Sequence, residues 1–414
     1  VARTKKIGID SAYGNLYHSS AMEKFNQPIM RNIPLIYAGT FLGGLNIYAP
    51  IIVIYMAQVL GSYALAMSLF AITQISAAAL ELPTGVMSDK IGRKWTGVAG
   101  AMCGFLGVLC YAVGMNFSVF VAGAILLGLS AAFISGNDDA MLYDTLKQVG
   151  APEDFHKHKG RTGSLDQAAL GISAFIASGI ILIWGLHATV IATLVPLFLG
   201  IIVAILMREP SVNSRIEQNI YAHLKTSIKQ VFKNRKLRLL TFGKAIAWGF
   251  GESQYQFVAA FYKTLIPVWA IGYLRAATNA LAALGYFISD KVTKRIGDFK
   301  AVFYIGVIGW FVYLAAILMA NIATPFIRTA MSVFYGIRMP AQDAIMQREF
   351  TDHQRATMGN VVAFFKSLSF AACSLFVGWV ADVWSPYVAM ITACVLSGLA
   401  WPFVYKALKP ESKL

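Results

Sequence analysis

Twelve apolar runs, each long enough to cross a bilayer, follow one another along this chain with polar interruptions between them. They fall at about 33–57, 63–87, 95–114, 117–137, 165–185, 187–207, 238–262, 265–288, 299–320, 322–345, 358–382 and 386–407. A helix needs ~20 apolar residues to span the hydrocarbon core. Within lipid only helices and closed barrels leave no backbone group unpaired, so runs of this length read as helices. Composition agrees, since 57% of the 414 residues are hydrophobic and only 13% are charged, against roughly 25% in a soluble domain. A soluble fold could not hide that apolar excess, which excludes a soluble enzyme. The expected fold class is an all-α membrane protein with twelve transmembrane helices.

The net charge of +15 would suggest nucleic acid in a soluble protein. Here the basic residues sit in alternate interruptions, at Lys90/Arg93/Lys94, Lys147 to Arg161, Arg208 to Arg238, Lys291 to Lys300 and Arg348/Arg355. The other interruptions are very short and hold one basic residue, Lys263. By the positive-inside rule the basic loops and both termini are cytoplasmic, in a bacterial inner membrane. No basic stretch is interleaved with aromatics, so no nucleic-acid partner is expected. Cys103, Cys110, Cys373 and Cys394 lie inside apolar runs and form no CxxC, which reads as packing rather than a disulfide or metal framework. No metal and no cofactor are expected. All six histidines fall in loops or at span ends, and residues 1–32 are too polar for a signal peptide.

The longest interruption divides the chain six plus six. The expected organisation is a cytoplasmic segment 1–32, a six-helix bundle 33–207, a cytoplasmic loop 208–237, a second bundle 238–407 and a tail 408–414. A repeat supports the division. Ser88-Asp89-Lys90-Ile91 recurs as Ser289-Asp290-Lys291-Val292, and Asp139-Ala140-Met141 recurs as Asp343-Ala344-Ile345, at nearly one offset. Both halves start on the same side, so they are parallel repeats about an axis along the membrane normal.

Gly85-Val86-Met87-Ser88-Asp89-Lys90-Ile91-Gly92-Arg93-Lys94 fits GxxxDxxGRK between spans two and three. With the six-plus-six division, this motif makes the chain resemble the major facilitator superfamily of secondary transporters. The resemblance implies two bundles around a central cavity, rocking so that a mid-membrane site opens to each side in turn. It also implies a cytoplasmic gate at Gly85, Asp89, Gly92 and Arg93, with Asp290 as the repeat of Asp89. Other family patterns are missing: Ala124 stands where an arginine is often found, with Arg328 as its repeat partner. Span five, from Leu165 to Gly179, lacks the Gly-Pro signature typical of drug–proton antiporters. No GxxxxGK[ST] loop occurs, so an ATP-driven pump is unsupported.

A charge at the bilayer centre costs ~2.5–3.5 kcal/mol on insertion scales, so each one asks for a reason. The second half holds Lys244, Glu252, Arg275, Arg328 and Lys366 at membrane depth, a net positive set. The first half offers the neutral Asn46 and Gln74, with Glu81 nearer the cytoplasm. Arg275 lies ~15 Å into its span, too deep to snorkel. Substrate contacts are therefore expected from Arg275, Arg328 and Lys366, with Gln254, Tyr255, Asn46 and Gln74. Burial favours the neutral form of a carboxyl and nearby cations favour the charged form. Glu252 is thus either the proton-coupling site, with Glu81, or a fixed ion-pair partner of Lys244 or Arg275.

The function this points to is secondary active transport of a small organic solute bearing carboxylate or phosphate, coupled to protons. A guanidinium can hold either group bidentately. The partners are the solute, protons and the lipid bilayer, and the expected state is a monomer. The alternatives are proton-driven efflux of lipophilic compounds, which the missing Gly-Pro pattern argues against, and a non-transporting sensor on the same scaffold. None of these is an enzyme.

Overall fold

Each expected span is a helix or a pair of helices in the structure, a computed structural model that describes residues 28–211, 233–348 and 355–408. At Leu82, Val86, Asp89, Gln347, Arg348, residues 355–360 and Leu408 it describes the backbone alone. The first half comprises α1 (Asn32–Gly44), α2 (Ile52–Leu60), α3 (Tyr63–Ile91), α4 (Arg93–Val113), α5 (Phe117–Ile134), α6 (Asn137–Gln148), α7 (Phe155–Trp184) and α8 (Leu186–Leu206). The second comprises α9 (Arg235–Tyr262), α10 (Val268–Ile296), α11 (Asp298–Met319), α12 (Ala323–Arg348), α13 (Arg355–Val383), α14 (Pro386–Ser397) and α15 (Ala400–Leu408). Most of the expected segment 1–32, central loop and tail lies outside the described residues.

Local chemistry starts these helices where the apolar runs begin. Ser62, Asn116, Asn234 and Ser385 each accept the backbone N–H three residues on, at Leu65, Val119, Leu237 and Val388, satisfying a donor that a helix start would leave unpaired. The spans differ from expectation in three places. The first is interrupted between Gly44 and Ile52, the fourth breaks at Ser135–Gly136 before α6, and the last breaks between α14 and α15. Asp139 therefore lies on a separate short helix, whereas its repeat Asp343 lies on the continuous α12. The fifth span starts ten residues earlier than expected, because the basic segment before its apolar run is helical and continuous with it. There Lys159 pairs with Asp139 of α6.

Eight stretches are long and apolar enough to cross a membrane by length and composition among the described residues. The spans that fall short are the interrupted first one and those of α9, α10 and α12, three helices that carry ionisable residues at membrane depth. Large apolar side chains such as Ile183, Val195, Phe198, Phe287 and Phe311 point outward, an arrangement suited to lipid rather than water.

The halves meet along two helix pairs, α3 with α13 and α7 with α10. The largest buried cluster crosses between them, joining Ile54, Met67, Leu69 and Phe120 to Phe257, Phe261, Val377 and Met390. At the end where the basic loops lie, each cluster is confined to one half. Ile33, Ile36, Met141, Leu142 and Leu146 pack in the first, and Leu237, Leu240, Met346, Val361, Val362 and Ala407 in the second. Among the described residues, the buried cluster that joins the bundles lies toward the far end, and those at the basic end do not cross between them.

Candidate functional site

One face of α9 carries Lys244, Trp248, Glu252 and Gln256 at intervals of four, with Tyr255 beside them. Helical periodicity makes these a single polar stripe. Lys244 Nζ lies 2.5 Å from Asp343 Oδ1 of α12. Lys366, reaching in from α13, places its ammonium 3.4 Å from the centre of the Trp248 ring, a cation–π contact. Glu252 is half-buried, and its Oε1 accepts from Gln256 Nε2 at 2.7 Å. Both Arg275 and Lys366 are within electrostatic reach of that carboxyl.

Arg275 is 9% exposed on α10. Its guanidinium carbon stacks 3.5 Å over the Tyr255 ring centre, and Nη2 donates to the Tyr255 carbonyl at 2.8 Å. Among the described residues no ion pair joins Glu252 to Arg275 or Lys244. The fixed pair open in the sequence is therefore not formed. Lys244 takes Asp343, Arg275 takes an aromatic face, and the carboxylate is held by an amide.

The other expected contact residues are dispersed. Gln254 is buried within the second bundle, donating Nε2 to the Ala393 carbonyl at 3.2 Å. Arg328 is turned toward Tyr313 of α11 and Tyr262 of α9. Asn46 lies in the break between α1 and α2 and lines a cleft of about 270 Å³ inside the first bundle, with Tyr48, Ser130 and Thr193. Gln74 is half-buried on α3, and Glu81 is exposed, accepting from Ser135 Oγ at 3.3 Å. Membrane-depth charge is thus concentrated in the second bundle. Among the described residues no cluster of His, Cys, Asp and Glu could hold a metal ion.

At the basic end, Glu209 holds the corner between α3 and α4. Its two carboxylate oxygens accept the backbone N–H groups of Arg93 and Lys94, each at 2.7 Å. Gly92 turns with φ +93°, and a Cβ there would stand 2.7 Å from the Glu209 carboxyl carbon. The corner therefore requires glycine twice over, for its dihedral and for its space. Arg93 Nη1 donates to Ser88 Oγ at 2.8 Å, Ser88 Oγ to Asn137 Oδ1 at 3.1 Å, and Asn137 Nδ2 to the Arg93 carbonyl at 3.0 Å. Arg93 Nε is 3.8 Å from Asp144. All these partners belong to the first bundle. Gly85 is exposed, and Asp290 bonds Lys294 on its own helix at 2.7 Å. The Asp89 side chain lies outside the described residues.

The far end is closed by contacts between the bundles. Asp382, at the end of α13, accepts from Ser62 Oγ at 2.5 Å and from the N–H groups of Tyr63 and Ala64 at 2.7 and 2.9 Å. Gly378 lets the helices touch, since a Cβ there would be 2.8 Å from the Tyr63 carbonyl oxygen. At the other crossing, a Cβ on Gly272 would be 2.3 Å from Ser178 Oγ. Sequence reasoning missed Asp382, Glu209 and Asp343 as site residues. Asp343 carried the signal of an acid inside an apolar span, whereas Asp382 and Glu209 read as ordinary span-end charges.

Two helical halves joined along α3–α13 and α7–α10, with a polar stripe inside the second and a seal at one end, have the architecture of a multi-pass membrane transporter. Residues 35–323 and 268–414 match the Major Facilitator Superfamily, and the chain belongs to that family. It is 23% identical over 373 residues to an uncharacterised MFS-type transporter of Methanocaldococcus jannaschii, covering 85% of this chain and 92% of that one. The fold is similar to that of the nucleoside transporter NupG, with a TM-score of 0.74 at 12% identity over 92% of this chain and 98% of that one. It is also similar to that of a bacterial homologue of the lysosomal transporter Spinster, with a TM-score of 0.70 at 13% identity over 92% and 96% of the two chains.

Proposed function

We propose that this transporter moves a small organic anion bearing carboxylate or phosphate, coupled to protons, by alternating access. The observation that carries the reading is Arg275. Its guanidinium is held from one side by the Tyr255 ring and carbonyl, makes no ion pair among the described residues, and leaves hydrogen-bonding capacity for a ligand. Lys366, set against Trp248, offers a second positive group near Glu252. A substrate carboxylate or phosphate on Arg275 competes with Glu252 for that cation. Once the cation is taken, a desolvated carboxyl favours binding a proton, so anion and proton bind together.

In this reading the basic end faces the cytoplasm of a bacterial inner membrane, both termini lie there, and the monomer is the working unit. The divergence of the bundles at that end then corresponds to an inward-open state, with Gly85, Asp89, Gly92, Arg93 and Asp290 poised to engage when the cavity reverses. Gln74, Asn46 and Gln254 are further substrate contacts in this reading, and Glu81 a second proton-coupling carboxyl.

A thermal-shift screen of the purified protein across carboxylic acids, sugar phosphates, amino acids and cationic drugs tests the class. Saturable stabilisation by acids or phosphate esters, followed by saturable flux in proteoliposomes, is the expected result. Stabilisation by cationic drugs alone would overturn it.

A further inference from the structure

Arg328 rises from α12 into the interior of the second bundle. Its guanidinium carbon stands 4.7 Å from the ring centre of Tyr313 and 5.9 Å from that of Tyr262. Nη1 is buried and has no hydrogen-bond partner, and the buried hydroxyl of Tyr313 has none either. The groups that act on the guanidinium are Tyr313, Tyr262 and the Cys394 thiol, with no carboxylate among them. Tyr262 also hydrogen-bonds the guanidinium, which leaves one unpartnered donor on Arg328, one on its neighbour Tyr313, and a charge with no counter-ion among the described residues.

An arginine keeps its proton at any pH a cell experiences, so this charge cannot be relieved by titration. Ring faces stabilise a desolvated cation in part, but they neither neutralise its charge nor pair its N–H groups. A water molecule would satisfy the donors and leave the charge standing. The bundle itself does not require a cation here, because the repeat-related residue in the first half, Ala124, is fully buried and apolar. The arginine is therefore better explained by a ligand than by packing.

We propose that Arg328 Nη1 and Tyr313 Oη together bind a small monovalent anion, chloride in the cell, inside the second bundle. A single halide accepts from both donors and cancels one charge, whereas a divalent anion would leave a negative residue among aromatic rings. Arg275 is held at a different point along α9, at Tyr255. Tyr262 lies seven residues beyond Tyr255 on α9, about 10 Å along the helix.

The test uses the purified full chain in methanesulfonate buffer, which carries neither carboxylate nor phosphate, titrated with chloride and then bromide at constant ionic strength, with Tm as the readout. Binding shifts Tm by mass action, so a saturable rise of about 3–6 °C is expected at a hundredfold excess over Kd. Tyr313→Phe keeps the ring and loses the donor, and should weaken the halide response at least tenfold. Arg328→Met should abolish it, and bromide should give an anomalous diffraction peak beside Nη1. A Tm that does not respond to halide, or a response unchanged in Tyr313→Phe, overturns the proposal. So does an equal response to every anion tried, which is a bulk salt effect. Should Arg328→Met fail to fold, Tyr313→Phe and the bromide peak decide the matter. None of these readouts involves the organic solute, so they stand or fall apart from the proposed transport function.

Discussion

Ser62 and Asp382 share one helix start across the two bundles. Ser62 caps α3 through Leu65, while Asp382 accepts from the Ser62 hydroxyl and from the next two backbone N–H groups. A carboxylate there complements the positive end of the helix dipole. The contact is broken whenever the far end opens, so it weights the equilibrium between the two cavity orientations.

Asp382→Asn keeps the shape and removes the charge. Losing such an interaction costs about 1 kcal/mol, roughly a fivefold change in a two-state ratio. Spin labels at Met115 and Asn321, on far-end loops of opposite bundles, should show a larger long-distance population in the variant. An unchanged distance distribution would mean that the contact does not govern closure.

Glu252→Gln should abolish pH-driven concentrative transport while exchange of solute across the membrane continues. The substitution removes the proposed proton site and keeps a side chain of the same shape beside Gln256. Proteoliposomes with and without an imposed pH gradient separate the two activities. Full pH-driven accumulation in the variant would make Glu252 structural and move the search to Glu81.

Arg275→Lys retains charge but loses the planar fork and the stack on Tyr255. Charge-assisted hydrogen bonds contribute about 1.5–3 kcal/mol each, so affinity for the solute should fall by at least tenfold. Solute-dependent thermal stabilisation measures it directly. An affinity within twofold of the parent protein would place the anion elsewhere.

Gly92→Ala puts a Cβ against the Glu209 carboxyl at a positive φ. Backbone strain of this kind is worth about 1–3 kcal/mol, so Tm should fall by several degrees. Glu209→Gln should do less damage, because an amide oxygen still accepts from one of the two N–H groups. If both variants melt with the parent protein, the corner is not a stability element.

The helical fold is legible in the sequence because a twenty-residue apolar run has few structures open to it in lipid. The candidate site is legible wherever charge is costly, as at Glu252, Arg275 and Lys366. Partner choice is not legible, because it depends on how helices cross. Lys244 and Arg275 both look like partners for Glu252, yet one meets Asp343 and the other Tyr255. Helix phase is equally hidden at short range. Gln254 and Gln256 stand about 200° apart on α9, so one turns back into the bundle toward Ala393 while the other reaches Glu252. Asp382 and Glu209 act at loop ends, where no periodic pattern exists to show what they face.

The confinement of membrane-depth charge to the second bundle has an electrical consequence. If that bundle turns relative to the field, the empty protein carries net positive charge through part of the membrane potential. Each elementary charge moved across the full potential is worth ~2.3 kcal/mol per 100 mV. The organic anion proposed as substrate would subtract from that moving charge, so voltage should bias the unloaded return more strongly than the loaded step. Transient currents on a supported membrane, recorded with and without solute, would then differ in size, and the transporter would read the cell's voltage through the residues that hold its cargo.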